Sequence, residues 1–95
     1  MDELKALRRQ IKDADKAILE NVARRLHAAQ RIGALKRAQG LPVRNYDVEA
    51  QVIREARTLC RRFKIDQELG EDIMRTLIRA AVQAQEEPPL RRARR

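Results

Sequence analysis

The sequence predicts an all-α fold of three helices, and two observations on its 95 residues support this prediction. The first is that only three glycines and three prolines interrupt the chain, so there are few places for a turn. The second is that apolar residues recur at every third or fourth position between those interruptions, which is the period of a helix that faces a core. We therefore expect helices and no strand.

The first helix is expected to begin after Met1, with Asp2 as its N-cap, and to end at the sequence QGLP near Gly40. Its apolar stripe consists of Leu4, Leu7, Ile11, Ile18, Val22, Ala29 and Ile32. Such a helix is about 55 Å long, whereas a compact monomer of this size is only about 30 Å across. Most of the stripe lies beyond the reach of its own chain, so we expect a second copy of the chain to cover it.

Two shorter helices are expected after the turn-rich segment LPVRNYD. The second helix has Asp47 as a candidate N-cap and runs to about Lys64, and the third has Asp66 as its N-cap and ends before Pro88. Residues 1–86 are expected to form one helical domain. Residues 87–95 are predicted to be a basic, disordered tail.

Composition narrows the class of protein. The chain has 22 lysines and arginines against 14 aspartates and glutamates, a net charge of +8, which favours anionic partners. Half of that excess lies in the tail sequence RRARR, so the folded part is only mildly basic. The single cysteine cannot form an internal disulfide, no apolar run reaches the length of a membrane span, and the N-terminus lacks a signal peptide. We therefore expect a cytoplasmic protein without membrane contact.

Four polar residues fall where the helical period places the core. Arg25 and Lys36 lie within about 40° of the centre of the first helix's stripe, at about 100° per residue. Glu49 projects near the apolar residues of the second helix, and Gln85 continues the apolar line of the third. A buried charge without a partner is too costly to keep. A small hydrophilic ligand bound between the helices would satisfy all four groups together.

A structural interpretation of these residues stays open at this point. Arg25 could form an internal salt bridge with Glu49, long cations at the edge of a stripe often extend their charged ends to water, and Lys36 lies where it favours the helix dipole. His27 points away from the stripe without companions at ligand spacing, and Cys60 lies on an apolar stripe with no histidine placed to activate it. We expect neither a metal site nor a cofactor.

Several segments carry a family resemblance that extends from residue 4 to about residue 86. LRRQIKDADKAILENVARR looks like the opening of the all-helical chorismate mutases, IGALK and PVRNYDVE follow it, and Gln85 stands near the end of the third helix. The resemblance implies an intertwined homodimer in which the long first helices are shared between two active sites. It also implies a monofunctional isomerase without a cofactor, which converts chorismate into prephenate in phenylalanine and tyrosine biosynthesis by a pericyclic rearrangement.

By the same resemblance, five residues match the main site positions of the family. Arg25 matches a substrate-binding arginine, Lys36 matches the catalytic lysine, and Arg8 matches an arginine that reaches the site of the other chain. Glu49 matches the carboxylate that receives the ring hydroxyl of the substrate, and Gln85 matches the residue that contacts the ether oxygen together with the lysine. The resemblance thus implies that Lys36, Gln85 and Arg25 are catalytic.

Three positions depart from the family pattern. Val48 stands where the family usually has an arginine for a substrate carboxylate, and Arg44 in the preceding loop is a candidate replacement. Asn45 and Ala81 stand where many relatives have an aspartate and a serine with lesser substrate contacts, and we include both in the expected binding site. These changes bear on the geometry of binding more than on the type of reaction.

Two other functions remain open from the sequence. An isochorismate-pyruvate lyase uses the same scaffold and the same cations to release pyruvate from isochorismate, and an assay with both substrates separates the two enzymes. A basic helical dimer that binds nucleic acid would also use the net charge, and its affinity would fall steeply with salt. Nucleic acid is the less favoured partner, because the key cations lie on the apolar stripes rather than on one exposed face.

Overall fold

In the computed structural model, which describes residues 1–86, the chain folds into three helices joined by two short connections. Helix α1 spans Asp2–Gln39, α2 spans Tyr46–Phe63 and α3 spans Gln67–Glu86. This confirms the predicted all-α fold with its long first helix. The predicted tail, residues 87–95, lies outside the described residues, so the disorder expected there stays a prediction.

The two ends of α1 are set by its backbone and its charges rather than by a capping side chain. Met1 is the N-cap and makes no side-chain capping bond, so the prediction that Asp2 caps this helix is wrong. Asp2 instead lies in the first turn with Glu3, where the helix dipole stabilises a negative charge. At the other end Gly40 adopts the left-handed conformation (φ 69°, ψ 25°), which a glycine reaches without steric penalty.

The caps of α2 and α3 lie in the connections that precede these helices. Asn45, and not the predicted Asp47, caps α2, because its side-chain oxygen accepts a hydrogen bond from the backbone N–H of Val48 at 3.2 Å. Asn45 is extended (φ −135°, ψ 99°), as an N-cap requires, whereas Asp47 is already helical. The predicted cap of α3 is confirmed, since Oδ2 of Asp66 accepts from the backbone N–H of Leu69 at 3.2 Å.

Helix α3 packs against both α1 and α2, whereas α1 and α2 make little direct contact with each other. The Cα atoms extend over 57 × 34 × 14 Å, so the fold is long and flat rather than round. The radius of gyration is 16.6 Å, whereas a compact domain of this length has about 12 Å. The chain by itself is therefore more extended than a compact domain of its length.

Small residues let the helices approach one another closely. The buried apolar residues are Ala29, Ala56, Cys60, Ile78 and Ala84, so the prediction that Cys60 is a core residue is confirmed. Two buried glycines mark the tightest contacts. A Cβ atom on Gly33 would lie 2.6 Å from the Cα of Gln85, and a Cβ atom on Gly70 would overlap the Sγ of Cys60. Glycine is thus required where α3 meets each of its neighbours.

The apolar stripe of α1 is exposed to solvent in the N-terminal half of the helix. Three residues of this stripe are 48%, 62% and 58% exposed, namely Leu7, Ile11 and Ile18. A row of large apolar side chains on the surface indicates that another molecule covers it. The length of α1 predicts this uncovered stripe, while the homodimer itself stays a prediction. Across residues 1–86, none of the helices is both long and apolar enough to cross a membrane.

Candidate functional site

A cavity of about 470 Å³ opens between the three helices, alongside the C-terminal half of α1. Its wall takes residues from every helix and from the connection between α1 and α2. The structure places all but one of the predicted site residues in this wall, namely Arg25, Lys36, Asn45, Glu49, Ala81 and Gln85. The rest of the wall is apolar and consists of Ala28, Ala29, Ile32, Val43, Val48, Val52, Ile78 and Val82. Polar groups that are far apart in the sequence therefore face one small, mostly apolar space.

The ammonium group of Lys36 is held at two points in this cavity. Its Nζ donates a hydrogen bond to the backbone oxygen of Val43 at 2.6 Å and another to Oε1 of Gln85 at 3.0 Å. An ammonium group has three N–H donors, so one remains for a ligand. Lys36 reaches this position because it lies one turn after Ile32 on the inner face of α1, as the helical period predicts.

Gln85 approaches Lys36 from α3. Its side-chain oxygen accepts the hydrogen bond from Lys36, which leaves the two N–H groups of the amide as donors for a ligand. Its backbone is also fixed, because Nη1 of Arg37 donates to its carbonyl oxygen at 2.5 Å and because Gly33 allows α1 to touch it. Lys36 and Gln85 together present N–H donors from two helices to the same part of the cavity.

Arg25 lies in the same wall, about three helical turns before Lys36. Its Nη1 donates to the backbone oxygen of Leu77 at 3.2 Å, and a guanidinium group has further N–H donors that can bind an anion. The salt bridge with Glu49 that the sequence left open is not formed, since no ion pair within residues 1–86 includes Arg25. Among the described residues, neither Arg25 nor Lys36 forms an ion pair, so the cavity has two cations whose charges can attract an anion.

Glu49 is paired with Arg44 instead. The Nε and Nη2 atoms of Arg44 donate to the two carboxylate oxygens at 3.2 and 2.7 Å, so the contact is bidentate. The guanidinium carbon of Arg44 lies 4.7 Å from the ring centre of Tyr46, which is the distance of a cation–π contact. The hydrogen bonds to Glu49 raise the pKa of Arg44 above its ordinary value, although desolvation acts in the opposite direction. Arg44 is therefore charged at neutral pH, as an arginine ordinarily is.

Arg8 is the predicted site residue that the structure places elsewhere. It is exposed in the N-terminal half of α1, about 25 Å along the helix from Arg25, so it cannot reach the cavity of its own chain. A role for Arg8 in the site of a second copy stays a prediction. His27 is exposed, as its position away from the apolar stripe predicts.

Three contributors to the site were not predicted from the sequence. The backbone oxygens of Val43 and Leu77 hold the two cations, and a backbone carbonyl has no signature in the residue type. Arg37 fixes the backbone of Gln85, although the helical period places it beside the apolar stripe rather than on it. The pairing of Glu49 with Arg44 is the one contact that the sequence could have indicated, because the two residues lie only five positions apart in PVRNYDVE.

Three helices that surround two cations, a carboxylate and an amide define an all-α protein with a binding site for a small, multiply charged anion. Comparison with known sequences then identifies the family. A sequence model of the family described as chorismate mutase type II matches residues 7–86. The chain therefore belongs to the type II chorismate mutase family.

Curated relatives are similar over the same region. A chorismate mutase of Methanocaldococcus jannaschii is 27% identical over 78 residues, which cover 82% of this chain and 79% of that protein. A T-protein of Enterobacter agglomerans is 35% identical over 77 residues, or 81% of this chain, and the chain spans only about a fifth (21%) of the T-protein's length. No solved structure gives a significant match. The family resemblance carried by the helical segments is thus confirmed.

Proposed function

We propose that this chain is a chorismate mutase, an isomerase that converts chorismate into prephenate. The observation that carries the proposal is the contact between Lys36 and Gln85 in a cavity that also contains Arg25 and Glu49, in a chain of the type II family. The substrate is a small dianion, and the positive charges of Arg25 and Lys36 in the cavity suit it. The mostly apolar wall suits the ring that bears them.

The reaction is intramolecular and needs no other reactant. The carbon–oxygen bond of the enolpyruvyl ether breaks while a carbon–carbon bond forms between the side chain and the ring, so every atom of the substrate is kept in the product. Negative charge builds on the ether oxygen in the transition state. The N–H donors of Lys36 and Gln85 would stabilise that charge there, and they are in place before the reaction begins.

The remaining residues would bind and orient the substrate. Arg25 would bind one carboxylate through its planar fork, and Glu49 would accept a hydrogen bond from the ring hydroxyl. The oxygen of Asn45 already caps α2, so this residue would contact the substrate through its amide N–H groups. Ala81 would contribute shape only. A site that holds the side chain folded over the ring removes much of the entropic part of the barrier.

The activity is tested by following the loss of chorismate absorbance with the purified protein and identifying the product. We expect prephenate, with saturation at low substrate concentration. Release of pyruvate from isochorismate without formation of prephenate would instead identify a lyase. Turnover of neither substrate would contradict the proposal and would make salt-dependent binding of nucleic acid the next measurement.

We also propose that the active protein is a homodimer in which Arg8 of one copy completes the site of the other. The exposed stripe of α1 supports this, because a second chain laid against it would cover large apolar side chains that the first chain leaves in water. It would also bring Arg8 to a cavity that Arg8 cannot reach within its own chain. A reduced, buried Cys60 suits a cytoplasmic location, which we propose as well.

Mixing two inactive variants tests the shared site. Arg8→Ala and Lys36→Met each remove one half of every site, but a mixed dimer keeps one site with both residues. We expect each variant alone to be nearly inactive, and the refolded mixture to recover about a quarter of the wild-type rate, because random pairing makes half of the dimers mixed. A mixture no more active than its components, with mixed dimers shown to form, would contradict the shared site.

A further inference from the structure

Glu49 forms part of the wall between two cavities of the same chain. It lines the candidate site, and it also lines a second cavity of about 470 Å³ between α2 and α3. Arg44 and Tyr46 line the second cavity and are absent from the wall of the first. The guanidinium group therefore belongs to the wall of the second cavity, while the carboxylate that it binds is shared by both cavities.

The local structure at the start of α2 fixes the contact between Arg44 and Glu49. The backbone N–H of Glu49 donates to the carbonyl oxygen of Asn45 at 3.1 Å, and the side chain of Asn45 caps the same turn, so the backbone of Glu49 has one orientation. Both carboxylate oxygens are then held by Arg44, and the ring of Tyr46 supports the guanidinium from one face. A glutamate side chain has several rotatable bonds, and a two-point contact selects one of the conformations that they allow.

We infer that Arg44 is a positioning residue of the active site, which acts on the substrate only through Glu49. The inference rests on the proposed function, in which Glu49 receives the ring hydroxyl. Each carboxylate oxygen has a second lone pair beyond the one that Arg44 occupies, so the carboxylate can accept from both sides at once. The replacement role considered for Arg44, as the cation missing at Val48, does not fit this geometry, because Arg44 lies outside the wall of the candidate site.

A double-mutant cycle separates the two roles. We expect Arg44→Met to lower kcat/KM by about 10- to 100-fold, since a displacement of about 1 Å in a binding group can have an effect of that size. In the Glu49→Gln background the same change should alter kcat/KM by less than about twofold, because two residues that act as one unit are not additive. Arg44→Lys should recover only part of the activity, since an ammonium group cannot make the two-point contact.

Arg54→Met is the matched control. Arg54 lines the second cavity with Arg44, but it is not the partner of Glu49 in either hydrogen bond, so this variant should keep the wild-type kcat/KM. All variants should unfold close to the wild-type temperature, because Arg44 and Arg54 are exposed and Glu49→Gln keeps the size of a half-buried side chain. An equal loss from Arg44→Met in both backgrounds, or no loss in either, would overturn the inference while leaving the proposed function intact. An inactive wild-type protein would overturn both.

Discussion

Replacement of Lys36 by methionine is expected to lower kcat by at least about 10³-fold, which is the scale of removing a preorganised donor to a developing negative charge. Methionine fills much of the same space and has a good helix propensity, so α1 should keep its structure. The change also leaves Oε1 of Gln85 and the backbone oxygen of Val43 without their donor. The measurement is the rate of prephenate formation at saturating chorismate, which separates kcat from KM.

Lys16→Met provides the control for this experiment. Lys16 lies on the same helix, is exposed, and points away from the apolar stripe, so the same change of residue should leave kcat at the wild-type value. If Lys36→Met kept a kcat within about tenfold of wild type, the lysine would have no part in stabilising the transition state.

A second large effect is expected from a single methyl group added at Gly33. In Gly33→Ala the new Cβ would lie 2.6 Å from the Cα and 2.9 Å from the carbonyl carbon of Gln85, and these backbone atoms cannot rotate away. Helices α1 and α3 must then move apart, at a cost of about 1–3 kcal/mol or more in the free energy of unfolding. Because Gln85 moves with its backbone, kcat should also fall, by about tenfold or more. Urea unfolding at one fixed protein concentration, with kcat measured alongside, tests both effects.

Gly70 provides a comparison in which the clash is with a side chain. A Cβ there would overlap the Sγ of Cys60, while the next atom, the Cβ of Cys60, is at 3.7 Å. Gly70→Ala should therefore destabilise the wild-type chain and have a much smaller effect in the Cys60→Ala background. No side-chain change offers the same relief for Gly33→Ala. An unchanged unfolding midpoint for Gly33→Ala would contradict the close approach of α1 and α3.

The helices could be predicted from the sequence, but two of their caps could not. The apolar period is set by each residue's own hydrophobicity, which the sequence contains. Capping depends on which of several suitable residues has the extended backbone, and that choice is made by the connection. Asn45 and Asp47 are both good cap formers, and only the extended conformation of Asn45 decides between them. At the N-terminus Met1 precedes the first turn, so Asp2 is already helical.

In the site, the polar residues could also be predicted from the sequence, whereas their hydrogen-bond partners could not. Arg25, Lys36, Glu49 and Gln85 could be found because the helical period turns them inward, and the structure brings them to one cavity. Their partners could not be found in this way. Two of the partners are backbone oxygens, and the conformation of the turn before α2 decides that Glu49 pairs with Arg44 rather than with Arg25.

The extended arrangement of the helices bears on what stability means for this protein. Within residues 1–86 no large side chain is fully buried, so the apolar residues that a larger domain would use as its core are available to contact a molecule that covers them. If the cover is a second copy, as we propose, folding and assembly become one reaction, and the unfolding equilibrium follows mass action. The midpoint of unfolding then depends on the protein concentration, and dilution alone is enough to unfold the protein.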